Sequence, residues 1–506
     1  MTGSPDIVII GSGMGGATFA AGIAGHGARV TILERGERLA DLPENRDPRA
    51  IFQRGHFRPK EMWVDAAGVP FNPGNYANVG GNTKFYGAVL IRYRREDFDV
   101  LEHMEGVSPA WPVSYEEFEP FYTAAERLYE VRGKAGDDPT EPPHSAPYPH
   151  PPVPDEPAIA IVRERMARAG LRPFSLPLGV DIERWLKRAS TPWDAYPNTD
   201  FGKSDAETCG LKAALKDPDI SLVTGARVTR LVAGAGGQIT AVEYEKGGEV
   251  HRLTPKLVVL AAGAVQSAAL LLASADEAHP TGLANRSDQV GRNFMNHNSS
   301  AMLAIDPRWR NTSVYQKTLG INDFYFTDGA GGPPLGNVQL LGRVTAPILK
   351  ANLPRLPEFA LKPFADHAVD WYLMSEDLPD PESRVTLDGP RIRLNWKRSN
   401  MKAHARLVSV MRERCRAAGF PIVLAKGFDR RTPSHQCGTV RIGRDPAEAP
   451  LDVFSRAFEH PNLFVVDASV LPTSAAVNPA LTVAAQALRA ADHVLKTEFA
   501  AAGGLA

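Results

Sequence analysis

Ile7-Val-Ile-Ile10-Gly11-Ser12-Gly13-Met14-Gly15-Gly16 is the stretch on which the reading of this chain turns. Ile7 to Ile10 is wholly apolar and β-branched, the composition of a strand buried on both faces, as in a parallel sheet. The glycines then turn the chain. Ala17 to His26 is small and mostly apolar, with Gly27 where a helix would stop, and Arg29 to Leu33 reads as a second strand ending at Glu34. This is a βαβ opening, and Gly11, Gly13 and Gly16 within it fit G-x-G-x-x-G. Gly11 permits the tight turn, Gly13 lets backbone approach a pyrophosphate, and Gly16 lets helix pack on strand. The phosphates are expected at the helix N-terminus, where free N–H groups and the dipole favour an anion. Glu34, followed by Arg35, is placed to accept ribose hydroxyls, and an acid there disfavours the extra phosphate of NADP. The motif predicts a Rossmann-type dinucleotide site and does not by itself separate NAD from FAD.

Outward from this opening, residues 40–75 are irregular, and a second glycine cluster follows at Val79-Gly80-Gly81-Asn82-Thr83. Tyr115 to Tyr129 predicts a helix with Ser114 as N-cap. Residues 136–156, rich in proline and acid, predict a surface excursion. Strands are expected at Ser221 to Ala233, Gln238 to Glu245 and Leu257 to Leu260, the last leading into Ala261-Ala262-Gly263-Ala264 and a helix from about Gln266 to Ala273. Residues 300–425 mix strand-like runs, such as Arg384 to Leu387 and Arg391 to Trp396, with loops, the signature of an antiparallel sheet. The C-terminal part returns to α/β: Asn462 to Val466 is a strand, and Pro479 to Leu495 a helix with Asn478 as N-cap and Pro479 as first helical residue. The expected fold is therefore α/β, a Rossmann-like nucleotide domain joined to a second α+β domain built on an antiparallel sheet.

A length of 506 residues exceeds one ordinary core, so two domains are expected. The apolar fraction of 43% and charged fraction of 23% are ordinary for a globular protein. A net charge of -1 asks for neither nucleic acid nor an anionic membrane. Cys209, Cys415 and Cys437 have no metal-ligand spacing, so no metal site is expected and reduced thiols in a cytoplasmic protein are. Met1 to Asp6 shows no basic region or cleavage site, and no uninterrupted apolar window reaches the ~18 residues of a transmembrane helix.

The far end of the chain reads His435-Gln-Cys437-Gly438-Thr439-Val-Arg441-Ile-Gly443, then Asn462-Leu-Phe-Val-Val-Asp467-Ala468-Ser469-Val-Leu-Pro472-Thr473, then Asn478-Pro479-Ala-Leu-Thr482-Val483. With the N-terminal fingerprint, Gly80-Gly81 and Ala262-Gly263-Ala264-Val-Gln266-Ser267, these segments resemble the glucose–methanol–choline oxidoreductase family, in family order. The resemblance implies FAD, alcohol oxidation, and a discontinuous FAD-binding domain from 1–45, 76–135, 200–300 and 430–506. The remainder, 46–75, 136–199 and 301–429, would form the substrate domain and insertions. His435 and Asn478 fall on the family's catalytic pair. The chemistry suits them: alcohol oxidation removes a hydroxyl proton while hydride leaves carbon, and a neutral imidazole is a suitable base near neutral pH. An amide orients the hydroxyl without titrating. The resemblance places cofactor contacts at Gly81, Asn82, Thr83, Gly87 and Ala88 in the second glycine segment, and at Val228, Ala262 and Gly263. Further contacts fall at Asp467, Ala468, Pro479 and Thr482. Phe85 stands where some pyranose oxidases carry a flavin-linked histidine, so non-covalent FAD is expected. A single cysteine in Pro197 to Cys209 leaves no iron–sulfur insert of the kind some related sugar dehydrogenases carry.

A His–Asn pair, and Lys203-Ser204-Asp205-Ala206, look most like bacterial pyranose oxidases and glycoside 3-oxidases. That likeness implies oxidation of a secondary ring hydroxyl of a sugar or glycoside, at C3 or C2, to a ketone. O2 would be the acceptor, giving H2O2; the alternative is a dehydrogenase that uses a quinone or protein acceptor. A non-catalytic flavin-binding protein and an NAD-only dehydrogenase are the readings from other classes. Sugar recognition needs polar groups and aromatic faces, for which Gln316, Tyr325 and Gln339 are the candidates, with Tyr315, Asn322 and Trp371 behind them. Gly329 to Gly336 is a candidate substrate loop.

Overall fold

The computed structural model describes residues 4–188, 196–199, 202–432 and 435–499. Met1 to Gly3 of the N-terminal reading, and Asp200 and Phe201 of the Pro197 to Cys209 stretch, lie outside the described residues.

Ile7–Ile10 is a strand with all four residues buried, as a continuous β-branched run requires inside a parallel sheet. It pairs in parallel with Val30–Leu33 on one side and Leu257–Leu260 on the other. Ile220–Val223 and Leu463–Val465 complete the two edges, again in parallel. Ile7, Ile9 and Ile32 pack on the side of helices Met14–Ile23 and Ala480–Val494, which lie against each other. Val8, Ile10 and Leu260 face the opposite side, with Val265 and Ala268 of helix Ala264–Ala273. The first helix starts at Met14, inside the glycine motif, because Gly13 is already its N-cap, and it stops before Gly25, whose φ is +83°.

The second large element is a six-stranded antiparallel sheet. Its order is Ile422–Gly427, Asn298–Ile305, Ala368–Ser375, Asn337–Leu340, Leu319–Ile321 and Phe174–Ser175. The α/β class, with one parallel and one antiparallel sheet, is as the sequence predicts. Two helices cover the antiparallel sheet in regions that show no helical signal in the reading above, Pro157–Arg168 and Met401–Ala417. The second carries a buried stripe of Ala403, His404, Leu407, Val410, Met411 and Cys415, hidden among basic residues. A three-stranded antiparallel sheet holds Arg227–Ala233, Ile239–Lys246 and an unforeseen strand, Glu249–Leu253. The hairpin Arg384–Asp388/Arg391–Asn395 pairs in parallel with Trp63–Asp65, fastening part of the irregular 40–75 region. Helix Tyr115–Leu128 has the expected Ser114 cap, with Glu117 N–H donating to Ser114 Oγ at 3.2 Å and Ser114 N–H to Glu117 Oε2 at 2.9 Å. The three cysteines are free. Among the described residues no helix is long and apolar enough to cross a membrane.

Candidate active site

The glycine turn forms a cradle. Gly11 has φ +104°, and a Cβ there would lie 2.4 Å from Ala261 O. At Gly16 a Cβ would lie 2.1 Å from Gly11 O, so this glycine serves helix–strand packing. At Gly13 nothing lies within 4 Å of a built Cβ, which leaves open space beside the unpaired first-turn amides of helix Met14–Ile23. Gly81 closes the other side, its built Cβ 3.4 Å from Gly13 Cα. Ser12, a mere spacer in the motif, joins the parts: its hydroxyl donates to Glu34 Oε2 at 2.7 Å and accepts Gly80 N–H at 3.1 Å. Glu34 also accepts Ser12 N–H at 3.1 Å and Gly36 N–H at 2.8 Å, and each carboxylate oxygen has two lone pairs, so acceptor capacity remains.

Arg35, paired with Glu61 at 2.9 Å, lines a cavity of about 500 Å³ together with Phe57, Lys60, Asn75 and Phe85. Asn75 donates to Gln436 Oε1 at 2.9 Å, so the cavity reaches from the end of strand Val30–Leu33 to the neighbour of His435. Val228 is half-buried near the start of its strand, and two residues before it Ala226 N–H donates to Glu34 O at 2.9 Å.

Several expected cofactor side chains are turned inward. Thr83 donates to Gly80 O at 2.5 Å and accepts Ala206 N–H at 3.1 Å. The Thr482 hydroxyl is fully buried against the Tyr122 hydroxyl at 2.8 Å. The Asp467 carboxylate accepts Gly263 N–H at 3.0 Å, Ser469 N–H at 2.8 Å and the Ser267 hydroxyl, while burial pushes its pKa up. It stitches two strand ends together, and only the backbone at Asp467 and the half-buried Ala468 is left for a ligand. Asn82 is exposed and accepts Tyr76 N–H at 2.9 Å. Gly87 is half-buried, and Ala88 is buried at φ +51°. Ala262 N–H donates to Ser267 Oγ at 3.1 Å, and Gly263, the N-cap of helix Ala264–Ala273, has open space where a Cβ would stand.

Asn478 is not the N-cap of the last helix. Pro479 takes that position, ahead of Ala480–Val494, because the Asn478 amide is engaged elsewhere. Its Nδ2 lies 3.1 Å from His435 Nε2, and its Oδ1 accepts Gln339 Nε2–H at 2.9 Å. On the other edge of the ring, His435 Nδ1 lies 2.7 Å from His297 Nδ1, and His297 Nε2 lies 2.9 Å from Ser474 O. This chain of contacts assigns the protons. The Ser474 carbonyl only accepts, so His297 donates from Nε2 and keeps its lone pair at Nδ1; His435 then donates from Nδ1, and its lone pair stands at Nε2, facing Asn478. Burial, His297 and Lys317 together push the His435 pKa well below its ordinary 6.5. The ring is thus neutral at physiological pH, with one basic nitrogen held in place, the state a general base requires. His297 is the functional residue that sequence reasoning missed; its only signal is the polar cluster Asn296-His297-Asn298 at the head of a buried strand.

Of the substrate candidates, only Gln339 reaches this cluster, and its buried Oε1 has no partner among the described residues. Gln316 does not: its amide donates to Leu341 O and Asp370 at 2.9 Å each and accepts from Asn311 at 2.8 Å. The Tyr325 hydroxyl donates to Asp97 at 2.8 Å, and its ring lies 5.4 Å from the Arg94 guanidinium. Trp371 is core and Asn322 pairs with Asp138. Gly329 to Gly336 includes a surface turn in which Asp328 accepts Ala330 N–H at 2.8 Å. Tyr372, which is not among the candidates read from the sequence, has its ring centroid 6.4 Å from that of His435.

A Rossmann-type cradle and, in the same chain, a neutral, oriented histidine are the parts of a nucleotide-dependent oxidoreductase. The description "GMC oxidoreductase" matches residues 190–299 and 379–487, and "NAD(P)-binding Rossmann-like domain" matches residues 9–56. The chain belongs to the GMC oxidoreductase family, whose members bind FAD. It is 29% identical to 6'''-hydroxyparomomycin C oxidase of Streptomyces lividus over 96% of this chain and 90% of that protein. It is 27% identical to the fructose dehydrogenase large subunit of Gluconobacter japonicus, over 97% of this chain and 98% of that one. Its fold is similar to that of pyridoxine 4-oxidase from Mesorbium loti, with a TM-score of 0.67 and 21% identity, covering 97% of this chain and 99% of that one.

Proposed function

We propose that this chain binds FAD non-covalently and oxidises a secondary ring hydroxyl of a sugar or glycoside, at C3 or C2, to a ketone. The observation that carries the reading is His435, neutral and with its basic Nε2 directed at Asn478. The residues fit the cofactor: open space at Gly13 and Gly263, free helix amides, and a cavity from Arg35 to Asn75. When bound, FAD supplies the acceptor for the hydride that leaves carbon. His435 Nε2 takes the hydroxyl proton, and Asn478 orients that hydroxyl. Gln339 holds Asn478 and offers its free Oε1 to a further hydroxyl of the substrate. Phe85, stacked on Tyr76 with centroids 3.8 Å apart, offers no nucleophile for a flavin link. The FAD-binding unit in this reading is 1–45, 76–135, 200–300 and 430–506, and the rest shapes the substrate site. The protein acts in the cytoplasm, on a small molecule.

O2 is the acceptor in this reading, giving H2O2. A dehydrogenase passing electrons to a quinone or protein is the second reading, favoured by the likeness to a fructose dehydrogenase subunit. Anaerobic mixing with a panel of sugars and glycosides tests the substrate class: bleaching of the flavin and a new ketone at C3 or C2 are expected. No bleaching by any sugar would overturn it. Oxygen uptake with peroxide release separates the two acceptors, and its absence sinks the oxidase.

A further inference from the structure

We propose that His297 is the proton-sharing partner of His435: it fixes the lone pair on His435 Nε2 and receives the His435 Nδ1 proton when Nε2 becomes protonated. This rests on the reading of His435 as base. The two Nδ1 atoms are 2.7 Å apart, so one proton lies between them, and His297 is anchored on its far side by Ser474 O at 2.9 Å. That carbonyl is itself held by the Tyr93 hydroxyl at 2.9 Å.

The surrounding charges favour the transfer. Lys317 faces His435, and a cation formed there is opposed by that ammonium and by burial. Burial opposes a cation on His297 as well, but there the Ser474 carbonyl and Glu376 favour it, and among the described residues no such acceptor or anion offsets burial at His435 in the same way. Glu376 accepts the Ser108 hydroxyl at 2.6 Å, with His103 Nε2 3.2 Å away. Asp377 holds the segment carrying His297 by accepting Asn296 N–H at 3.0 Å, and the Tyr372 ring lies beside that of His435, with centroids 6.4 Å apart. In the step, the alcohol O–H bond breaks as N–H forms at His435 Nε2. The N–H at His435 Nδ1 then breaks as N–H forms at His297 Nδ1. The pair gains one proton and no electrons. His297, now with both nitrogens protonated, donates to Ser474 O and to His435 Nδ1, and the positive charge has moved from beside Lys317 to beside Glu376.

Three proteins test this. His297→Asn keeps an acceptor opposite His435 Nδ1 but cannot take a proton; His297→Leu removes both capacities. Nitrogen-15 NMR of histidine-labelled protein, assigned with His435→Gln, reads the tautomer without reference to turnover. In the unaltered and His297→Asn proteins, His435 is expected to carry its proton on Nδ1, and in His297→Leu to populate both tautomers. In anaerobic reduction, His297→Asn is expected to lose about 10- to 100-fold in limiting rate. Its half-saturation should hold, so that the loss falls on the limiting rate alone. A proton found on Nε2 of His435 in the unaltered protein would overturn the positioning. A His297→Asn enzyme with an unaltered limiting rate would overturn the sharing. If the expected tautomer is found but no sugar bleaches the flavin, the substrate reading fails while the positioning of the His435 lone pair by His297 stands, and a panel of non-sugar alcohols then carries the rate test of the sharing.

Discussion

Replacing Gln339 separates orientation of the catalytic amide from direct substrate binding. Gln339 Nε2–H donates to Asn478 Oδ1 at 2.9 Å, and this contact decides which end of the Asn478 amide faces His435. Gln339→Leu removes the donor and leaves a buried oxygen unsatisfied, a cost of about 1–3 kcal/mol. With that donor gone, nothing decides which end of the Asn478 amide faces His435, and in the turned orientation Oδ1 meets the His435 lone pair and the donor that orients the alcohol is lost. Charged to the transition state, about 1–3 kcal/mol is roughly a 5- to 150-fold loss in rate. Gln339→Glu conserves volume, but its carboxylate accepts only. It draws Asn478 Nδ2 towards itself, so it should lose as much rate as Leu. The assay is anaerobic flavin reduction by substrate, with the limiting rate separated from half-saturation. The limiting rate is expected to fall in both variants. A Gln339→Glu enzyme at the unaltered rate, or a loss confined to half-saturation, would refute the argument.

Lys84 is completely buried, 2.6 Å from Glu207 and 3.1 Å from Asp205; Glu207 also pairs with Arg38, but Lys84→Met leaves the buried Asp205 carboxylate without its counter-charge and should cost about 3–5 kcal/mol, read as a lower thermal midpoint; an unchanged midpoint contradicts it. Thr482→Val loses one buried hydroxyl pair with Tyr122, about 1 kcal/mol of stability, and FAD affinity should hold; released FAD would return the hydroxyl to the cofactor. The pKa of His435 lies well below 6.5 and the neutral ring is the active form, so kcat/KM should stay level as pH falls to 6.5 and decline only beneath it. A limb centred at or above 6.5 is incompatible with that environment.

The nucleotide cradle was legible because its determinants are local. A buried β-branched run, three spaced glycines and an acid at the next strand's end each act within a few residues of chain. His435 and Asn478 were legible as a pattern, although the helix-cap reading of Asn478 was not correct. Asn before Pro is a good cap by propensity, and two tertiary hydrogen bonds outweighed it. Ser12 and His297 were not legible. Their partners, Gly80 and His435, are remote in sequence, and nothing local marks a serine or a histidine as bonded rather than solvated. Helix Met401–Ala417 was obscured for the opposite reason: the charged residues of its outer face interrupt the apolar stripe when read in one dimension.

Sheet parity sorts the remaining candidates by a rule the sequence contains but does not reveal without the register. In the antiparallel sheet Gln339 lies opposite Tyr372, and Tyr372 opposite Ala301. Directly opposed side chains share a face, as does every second residue along a strand. Gln339, Tyr372, Ser299 and, one residue ahead of its strand, His297 therefore belong to one face. The Tyr372 hydroxyl indeed donates to Ser299 Oγ at 2.9 Å, and His297 and Gln339 both meet the His435–Asn478 pair. Trp371, Leu340 and Met302 take the alternate parity and pack in the core with Leu407 and Met411. On neighbouring positions, then, Gln339 is at the site and Leu340 is not, Tyr372 is and Trp371 is not. Slipping one strand by a single residue would exchange the two sets. The antiparallel sheet thus does more than wall the substrate space: it fixes His435 from its Nδ1 edge through His297 and from its Nε2 edge through Gln339 and Asn478. Substitutions that alter substrate preference without disabling the base should therefore fall on the face-sharing positions that touch neither His297 nor Gln339.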